Sequence, residues 1–389
     1  MEPFEGKVQS LAHGGRGIVL GPNQKVCFVE GVWPGDTGLF KIVTEKKNYA
    51  EAELVKLIAP SSDRREELPC RYQGFSDSHC GGCSWMIAKY PAQVRAKFTL
   101  VAELCRKYKL IENPRFQLNP IITSQFEFEY RNRAQFKTDG ERVGFLAKSS
   151  HKIVDVKSCA VLEISLNKRL GELRNTLPNH DWLPRPPHKF RFLEVDTSHE
   201  GVSIDKRFPF MQGNSGQNES MKALISNFLS QISKETQGSA ALEMFCGSGN
   251  FTEVLSNCNF EKIFAFEVSQ TSIEALTKRG LKNVFPHKVD LSVEKFKPES
   301  FGIPLSNVKV LLLDPPREGW VELRDFVPLM PNLSSIIYVS CDPQTFFRDA
   351  SRVMENGFEV VSLTPVDMFP QTPHIELVAI LRRKAPAAL

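Results

Sequence analysis

Cys341 closes an apolar run within Ser340-Cys341-Asp342-Pro343-Gln344-Thr345. Glu376 opens the last apolar run of the chain, after Pro373-His374-Ile375. A thiol and a carboxylate at two strand ends, downstream of a glycine-rich turn, suit a nucleophile and a base in a cofactor-using enzyme. Two strands, about 357–364 and 375–382, lie too close in sequence for a helical crossover, so they should pair antiparallel. That pairing would return Glu376 to the sheet edge where Cys341 ends its own strand.

The elements that must position this pair begin near residue 216. A helix over 219–233 is expected, then a buried strand Ala240–Phe245, the turn Cys246-Gly247-Ser248-Gly249-Asn250, and another helix. Ile263–Glu267, Val308–Asp314 and Ser335–Ser340 read as further strands, with a helix over 343–356. Alternation of this kind implies a parallel sheet covered on both faces. The glycine turn lies where such sheets bind nucleotide-type cofactors. It lacks the third glycine that close approach to a pyrophosphate requires. Glu267, ending the next strand, is placed to take both ribose hydroxyls, and Asp290 to reach an adenine edge. This layout fits S-adenosylmethionine better than a nicotinamide dinucleotide.

Asp314-Pro315-Pro316-Arg317 then supplies a rigid loop over a methyl donor, with Asp314 free to accept a hydrogen bond from substrate. Arg317 stands where enzymes that methylate amino groups usually carry an aromatic residue, which argues against a stacked exocyclic amine. A thiol and a base instead suit carbon 5 of a uracil. That carbon is a poor nucleophile until a thiolate adds to carbon 6, and its proton must be removed before the thiol can leave.

Elsewhere the chain sets bounds. Its 389 residues suffice for two or three domains. No apolar run approaches a membrane span, and the acidic start Met1-Glu2-Pro3-Phe4-Glu5 lacks a signal-peptide pattern, so a cytoplasmic protein is expected. Nine cysteines, an odd number, argue against a disulfide framework. Residues 1–60 carry no net charge, residues 61–215 carry +7 (25 basic, 18 acidic), and residues 216–389 carry −3 (17 basic, 20 acidic). A basic middle suits a grip on a polyanion, with chemistry done elsewhere. Residues 5–60 alternate short strands and turns as a small β-barrel does. A helix over about 86–108 follows the linker Ser61–Arg65, and residues 115–208 mix strands and turns. Cys80-Gly81-Gly82-Cys83, with Cys70 and Cys159, would suit zinc or an iron–sulfur cluster.

Taken together, Gly249-Asn250-Phe251-Thr252, Asp314–Arg317, Tyr338–Pro343, Arg348-Asp349, and Asp367–Thr372 with His374 and Glu376 resemble the RNA 5-methyluridine (uracil-C5) methyltransferase family. The resemblance covers nearly the whole chain and is nearest the 23S ribosomal-RNA members. It implies an α/β fold with three parts. Residues 1–60 would form a TRAM-like β-barrel that binds RNA, on Leu11–Ile18 and Phe28–Asp36. Residues 61–215 would form a central α+β domain, whose helix 86–108 packs on the catalytic part. Residues 216–389 would form a Rossmann-like, S-adenosylmethionine-dependent methyltransferase domain. It implies Cys341 as nucleophile and Glu376 as base. Gln212, Phe245, Asn250, Glu267, Asp290 and Asp314 would be the cofactor contacts, and Arg131 and Arg133 the RNA contacts. It also implies a 4Fe–4S cluster on Cys70, Cys80, Cys83 and Cys159, although nine residues separate Cys70 from Cys80 where five are usual. Asp342 and Glu243 stand where the family often has asparagine and aspartate. The partner would be structured RNA, 23S rRNA, met by a monomer. A tRNA uridine methyltransferase and a non-catalytic RNA-binding module are the alternatives.

Overall fold

The computed structural model describes residues 2–291 and 298–385. Five strands, β1 (Phe4–Leu11), β2 (Gly17–Leu20), β3 (Val26–Val29), β4 (Thr37–Glu45) and β5 (Ala50–Ala59), close into a barrel. Alternate side chains such as Val8, Val19, Val29, Phe40 and Ala52 fill its interior, as the two-residue period of a strand requires. This agrees with the expected TRAM-like barrel.

Helix α1 (Tyr90–Lys107) starts at Tyr90, four residues later than the apolar spacing suggested, with Pro91 in its first turn. Proline is pre-set for the first turn and cannot donate the bond a longer helix would need. Residues 85–88 form turns instead, with Met86 N–H donating to the Cys83 carbonyl. After β6 (Gln117–Leu118) come β7 (Arg133–Thr138), β8 (Val143–Leu146) and β9 (Ile153–Asp155). Helix α2 (Ile164–Arg174), β10 (Arg191–Asp196) and β11 (Ser203–Ile204) follow. β11-β10-β7-β8-β9 make one antiparallel sheet, and Leu166, Leu170 and Leu173 of α2 join its core. The helix does not stand out in a stretch expected to mix strands and turns, because α2 shows only these few apolar residues among charged ones.

Helix α3 (Ser215–Gln231) is capped by Asn214, whose side chain accepts the Gln217 N–H at 3.3 Å. The remaining elements are α4 (Ser233–Thr236), β12 (Ala240–Met244), α5 (Thr252–Ser256), β13 (Lys262–Glu267), α6 (Gln270–Lys278), β14 (Val284–Lys288), β15 (Val308–Leu313), α7 (Leu323–Phe326), β16 (Ser335–Ser340), α8 (Pro343–Glu355), β17 (Phe358–Val366) and β18 (Glu376–Arg383). They build an eight-stranded sheet ordered β14-β13-β12-β15-β16-β18-β17-β6. β12 to β16 are parallel, and β18 runs antiparallel to β16 and β17. The central strands are buried on both faces, which explains their near-continuous apolar sequences.

Two segments from earlier in the chain complete this unit. β6 pairs parallel with β17 at the sheet edge. Val101, Leu104 and Cys105 of α1 enter the same core as Tyr338, Phe346 and Phe347, and Tyr108 stacks on Phe347 at 5.1 Å. Fully burying an aliphatic side chain contributes about 1.5–3 kcal/mol, so this face of α1 is held firmly.

On the same helix Lys97 is fully buried and its ammonium lies 2.5 Å from a carboxylate oxygen of Asp367, also fully buried. Lys97 further donates to the Phe369 carbonyl at 3.1 Å. Burial presses its pKa down while Asp367 holds it up. Removing one partner of such a pair strands the other charge. Lys97→Met is therefore expected to lower the unfolding free energy by about 3–5 kcal/mol. Denaturant titration should show the double variant Lys97→Met/Asp367→Leu recovering most of that loss.

Candidate active site

The antiparallel ladder sets the first geometric fact. Ser340 of β16 faces Leu377 of β18, so the next residue of one strand and the preceding residue of the other, Cys341 and Glu376, leave the pair side by side. Both sit at the edge where the parallel strands β12, β13, β15 and β16 end. Glu376 is buried, and Cys341 is partly buried.

Their surroundings decide their protonation. The Cys341 thiol is pushed up to about 12, chiefly by burial and then by Glu376 and Asp314, with Arg317 pulling the other way. Burial, reinforced by Asp314, raises Glu376 well above the ordinary carboxylate range. Asp314 is raised to about 7 by burial and by Glu267. Burial thus favours the protonated form of both the thiol and the buried carboxyl. His374, two residues before Glu376, is depressed to about 4, by burial first and then by Arg317, Lys97 and Arg131. It is a neutral imidazole among cations.

The turn after β12 forms a cradle beside this pair. Phe245, at φ 61°, turns the chain out of the strand, with its ring edge-on to Trp320 at 5.7 Å. A Cβ on Gly247 would meet nothing within 4 Å, so the backbone there borders open space. Gly249 is at φ +89°, and a Cβ there would strike Leu276 at 2.5 Å, so only glycine fits. Glu267, at the end of β13, accepts the Gly247 N–H at 3.1 Å and the Ser269 N–H at 2.9 Å. Gln212 donates toward Asp314 at 3.4 Å from the opposite side. Asp290 lies two residues past β14, at the same edge. Gln212, Phe245, Glu267, Asp290 and Asp314 thus gather at the edge where the parallel strands end. The side chain of Asn250 is engaged otherwise, in a reciprocal amide pair with Asn218 of α3 at 2.8 and 2.9 Å. Glu243, buried one residue before the end of β12, has one oxygen without a hydrogen-bond partner and is raised to about 8 by burial. It is a neutral acid, which lets the longer side chain stay in the sheet.

The 367–375 segment that leads into Glu376 is fastened from beneath. Gln93 and Gln371 exchange bonds at 2.8 and 2.9 Å, Trp85 N–H donates to the Gln371 carbonyl at 3.0 Å, and Tyr130 donates to the Pro370 carbonyl at 2.9 Å. Asp367, Gln371 and Thr372 are therefore supports, not reactants. Sequence reasoning missed their partners Gln93 and Lys97. The visible sign was a lysine on a helix stripe that otherwise reads Val94, Phe98, Val101, Leu104.

The two central arginines differ in availability. Arg133 is consumed by Glu194 and by the Phe208 and Pro209 carbonyls. Arg131 is exposed, bonds one carbonyl and lies over the Phe369 ring at 5.8 Å. Both border a pocket of about 370 Å³ with Arg207, Phe208, Phe210 and Phe369, next to Gln212. Cys70, Cys80, Cys83 and Cys159 line a second, smaller and mainly apolar pocket with Tyr72, Met86, Phe145 and Val161. Backbone N–H groups of Val161 and Leu162 face the Cys159 sulfur, and that of Gly82 faces Cys80. Among the described residues, no group of three or more His, Cys, Asp or Glu is set closely enough to hold a metal ion. The four thiols are gathered but not drawn in on one ion.

Comparison with known proteins gives this geometry a context. The family model described as tRNA (Uracil-5-)-methyltransferase matches residues 202–384. An uncharacterised RNA methyltransferase of Nitrosomonas europaea is 36% identical, over 98% of this chain and 97% of its own. A 23S rRNA (uracil(1939)-C(5))-methyltransferase of Thiobacillus denitrificans is 30% identical, over 97% of this chain and 99% of its own. The chain belongs to the RNA uracil-5 methyltransferase family. The fold of this family member also matches the Pyrococcus abyssi tRNA (uracil-54, C5)-methyltransferase, solved with S-adenosyl-L-homocysteine. The TM-score is 0.69 at 20% identity, covering 97% of this chain and 99% of that one. Among the described residues no helix is long and apolar enough to cross a membrane.

The raised Asp314 has a consequence for this methyltransferase's stability. An aspartate shifted from 3.8 to about 7 on folding stabilises the fold below pH 3.8, and that contribution is lost as pH rises through 7. Asp314→Asn removes the loss. Its melting temperature relative to the parent is expected to rise between about pH 5 and pH 8. A difference independent of pH across that window would contradict the assignment.

Proposed function

We propose that this protein transfers a methyl group from S-adenosylmethionine to carbon 5 of a uridine in 23S rRNA, through a covalent adduct on Cys341. The observation that carries this reading is the adjacency of Cys341 and Glu376 beside the β12–α5 cradle. Bound in that cradle, S-adenosylmethionine supplies an electrophilic methyl group and a sulfonium charge that favours ionised neighbours. Glu267 offers a carboxylate for ribose hydroxyls. Phe245 offers an apolar ring edge, and Asp290 an acceptor at the edge of the sheet. Asp314 and Gln212, already in contact, form a polar wall for the uracil. The position of Asn250, paired with Asn218, supports a role in shaping the cradle through α3.

Cys341 must lose its proton to solvent, and Glu376 must be ionised, before the reaction can start. The sulfur then bonds to carbon 6 as the carbon 5–carbon 6 double bond opens, and carbon 5 takes the methyl group while S-adenosylhomocysteine leaves. Glu376 removes the remaining proton at carbon 5, the carbon 6–sulfur bond breaks, and the thiolate is regained. A carboxylate whose pKa is raised by burial is a stronger base than one in water, which suits a carbon acid. The target uridine has to leave its stack to reach so enclosed a thiol. The barrel and the pocket of Arg131, Arg207 and Phe369 support a grip on flanking single-stranded RNA, since cations and aromatic faces bind such segments.

The sequence relatives named for 23S rRNA favour that RNA. The likeness to a tRNA enzyme is one of fold. We further propose that Cys70, Cys80, Cys83 and Cys159 hold a 4Fe–4S cluster with a structural role. Four thiols in one apolar pocket with N–H groups on the sulfurs support it.

Cys341→Ala is expected to abolish 5-methyluridine formation while RNA binding persists. Methylation surviving in that variant would sink the mechanism. Glu376→Gln should accumulate an RNA–protein adduct on denaturing gels beyond the parent's level. Protein purified without oxygen should carry about four iron atoms per chain, and Cys83→Ser should lose them. One zinc per chain would instead identify the other metal.

A further inference from the structure

Asp342 is a departure from the family pattern that the reaction above does not use. Its one oxygen, Oδ1, caps α8 by accepting the Gln344 and Thr345 N–H groups at 2.8 and 3.3 Å. Its other oxygen, Oδ2, lies 3.7 Å from Nε2 of His13. Among the described residues no other partner reaches that oxygen. His13 belongs to the turn between β1 and β2, so a barrel side chain faces the residue that follows the cysteine.

The turn is firmly seated there. Ala12 and Arg16 close it with a 2.7 Å backbone bond, and Gly14 and Gly15 take φ +85° and +88°. The Gly15 carbonyl accepts the Trp85 indole N–H at 3.0 Å. A Cβ on Gly15 would strike that same nitrogen at 2.5 Å and Pro373 at 2.7 Å. The turn therefore rests on the segment that leads to His374 and Glu376. An asparagine at position 342 would cap α8 without adding charge. A carboxylate adds a negative charge one residue from a thiol that must ionise, alongside Glu376 and Asp314 and opposed by Arg317. An imidazole that can carry a positive charge is the natural counterweight.

We propose that His13 is a positioning residue for Cys341: by facing the free oxygen of Asp342 it offsets that charge beside the thiol and ties the barrel to the 341–342 turn. This rests on the reading of Cys341 as nucleophile. It makes the barrel a part of the catalytic centre as well as an RNA-binding module.

The test uses the full-length protein without RNA. Alkylation of Cys341 by iodoacetamide is followed by peptide mass spectrometry in the parent, His13→Ala, Asp342→Asn and the double variant. His13→Ala is expected to slow alkylation about two- to fivefold, the range of a partly exposed charge pair. Asp342→Asn should speed it, and in that background the loss of His13 should change nothing further. His13→Lys, which keeps a cation, should restore the parent rate. Equal slowing in both backgrounds, or none in either, overturns the proposal. In the methylation assay kcat should fall by a similar factor with KM for RNA unchanged. A rise in KM alone, with alkylation unaffected, would make His13 an RNA contact and overturn it too. Because alkylation needs no RNA, a parent protein that failed to methylate would count against the proposed reaction and not against this pairing.

Discussion

Everything chemical in this molecule depends on one strand pairing. β18 returns antiparallel beside β16, with Ser340 opposite Leu377. That register puts the residue leaving one strand next to the residue entering the other. A slip of one position would move every side chain of β18 to the opposite face. The register is protected because β18 is buried over Glu376–Leu381 and flanked on both sides, by β16 and β17. A shift would exchange Leu377, Ala379 and Leu381 with Val378 and Ile380 between the two cores they fill, and disrupt the packing of both.

The second constraint is the anchoring of the segment before β18. Nine residues separate β17 from β18, and a loop of that length would ordinarily wander. Here it lies on α1 and on the 85–88 turns, fixed by Gln93, Lys97, Trp85 and Tyr130. The buried Lys97–Asp367 pair is expensive to desolvate. It is compensated by the Phe369 carbonyl and by apolar packing along the rest of α1. The central part of the chain thus forms the floor of the candidate active site. Low dielectric around that floor also explains why Cys341, Asp314 and Glu376 are all shifted toward their protonated forms.

Much of the parallel sheet could be read from the chain. β12, β13, β15 and β16 are apolar runs buried on both faces, and such runs are hard to mistake. The glycine turn, the Asp-Pro-Pro-Arg loop and Cys341 sit at their ends by simple counting. The antiparallel return of β18 followed from the short connection. The middle of the chain was far less legible. The β7–β11 sheet has mixed faces, α2 has a sparse apolar stripe, and β6 is two residues long. None of them carries enough periodicity to be seen without its packing partners. The roles of Arg131 and Arg133 were equally closed to sequence. Both are arginines in one tetrapeptide, yet Glu194 on β10 claims one and leaves the other exposed.

What the sequence by itself determined is the chemistry available: a thiol, a carboxyl group and a glycine cradle at the ends of recognisable elements, and four further cysteines in loops. Local pattern settles such things because a strand end or a tight turn is set by a few neighbouring residues. What only the tertiary structure decided is which groups meet and in what charge state. Cys341 and Glu376 are 35 positions apart, Lys97 and Asp367 are 270 apart, and His13 reaches Asp342 from the far end of the chain. Those distances are closed by burial of apolar surface, which has no sequence-local signature. The protonation of the site follows from that same burial.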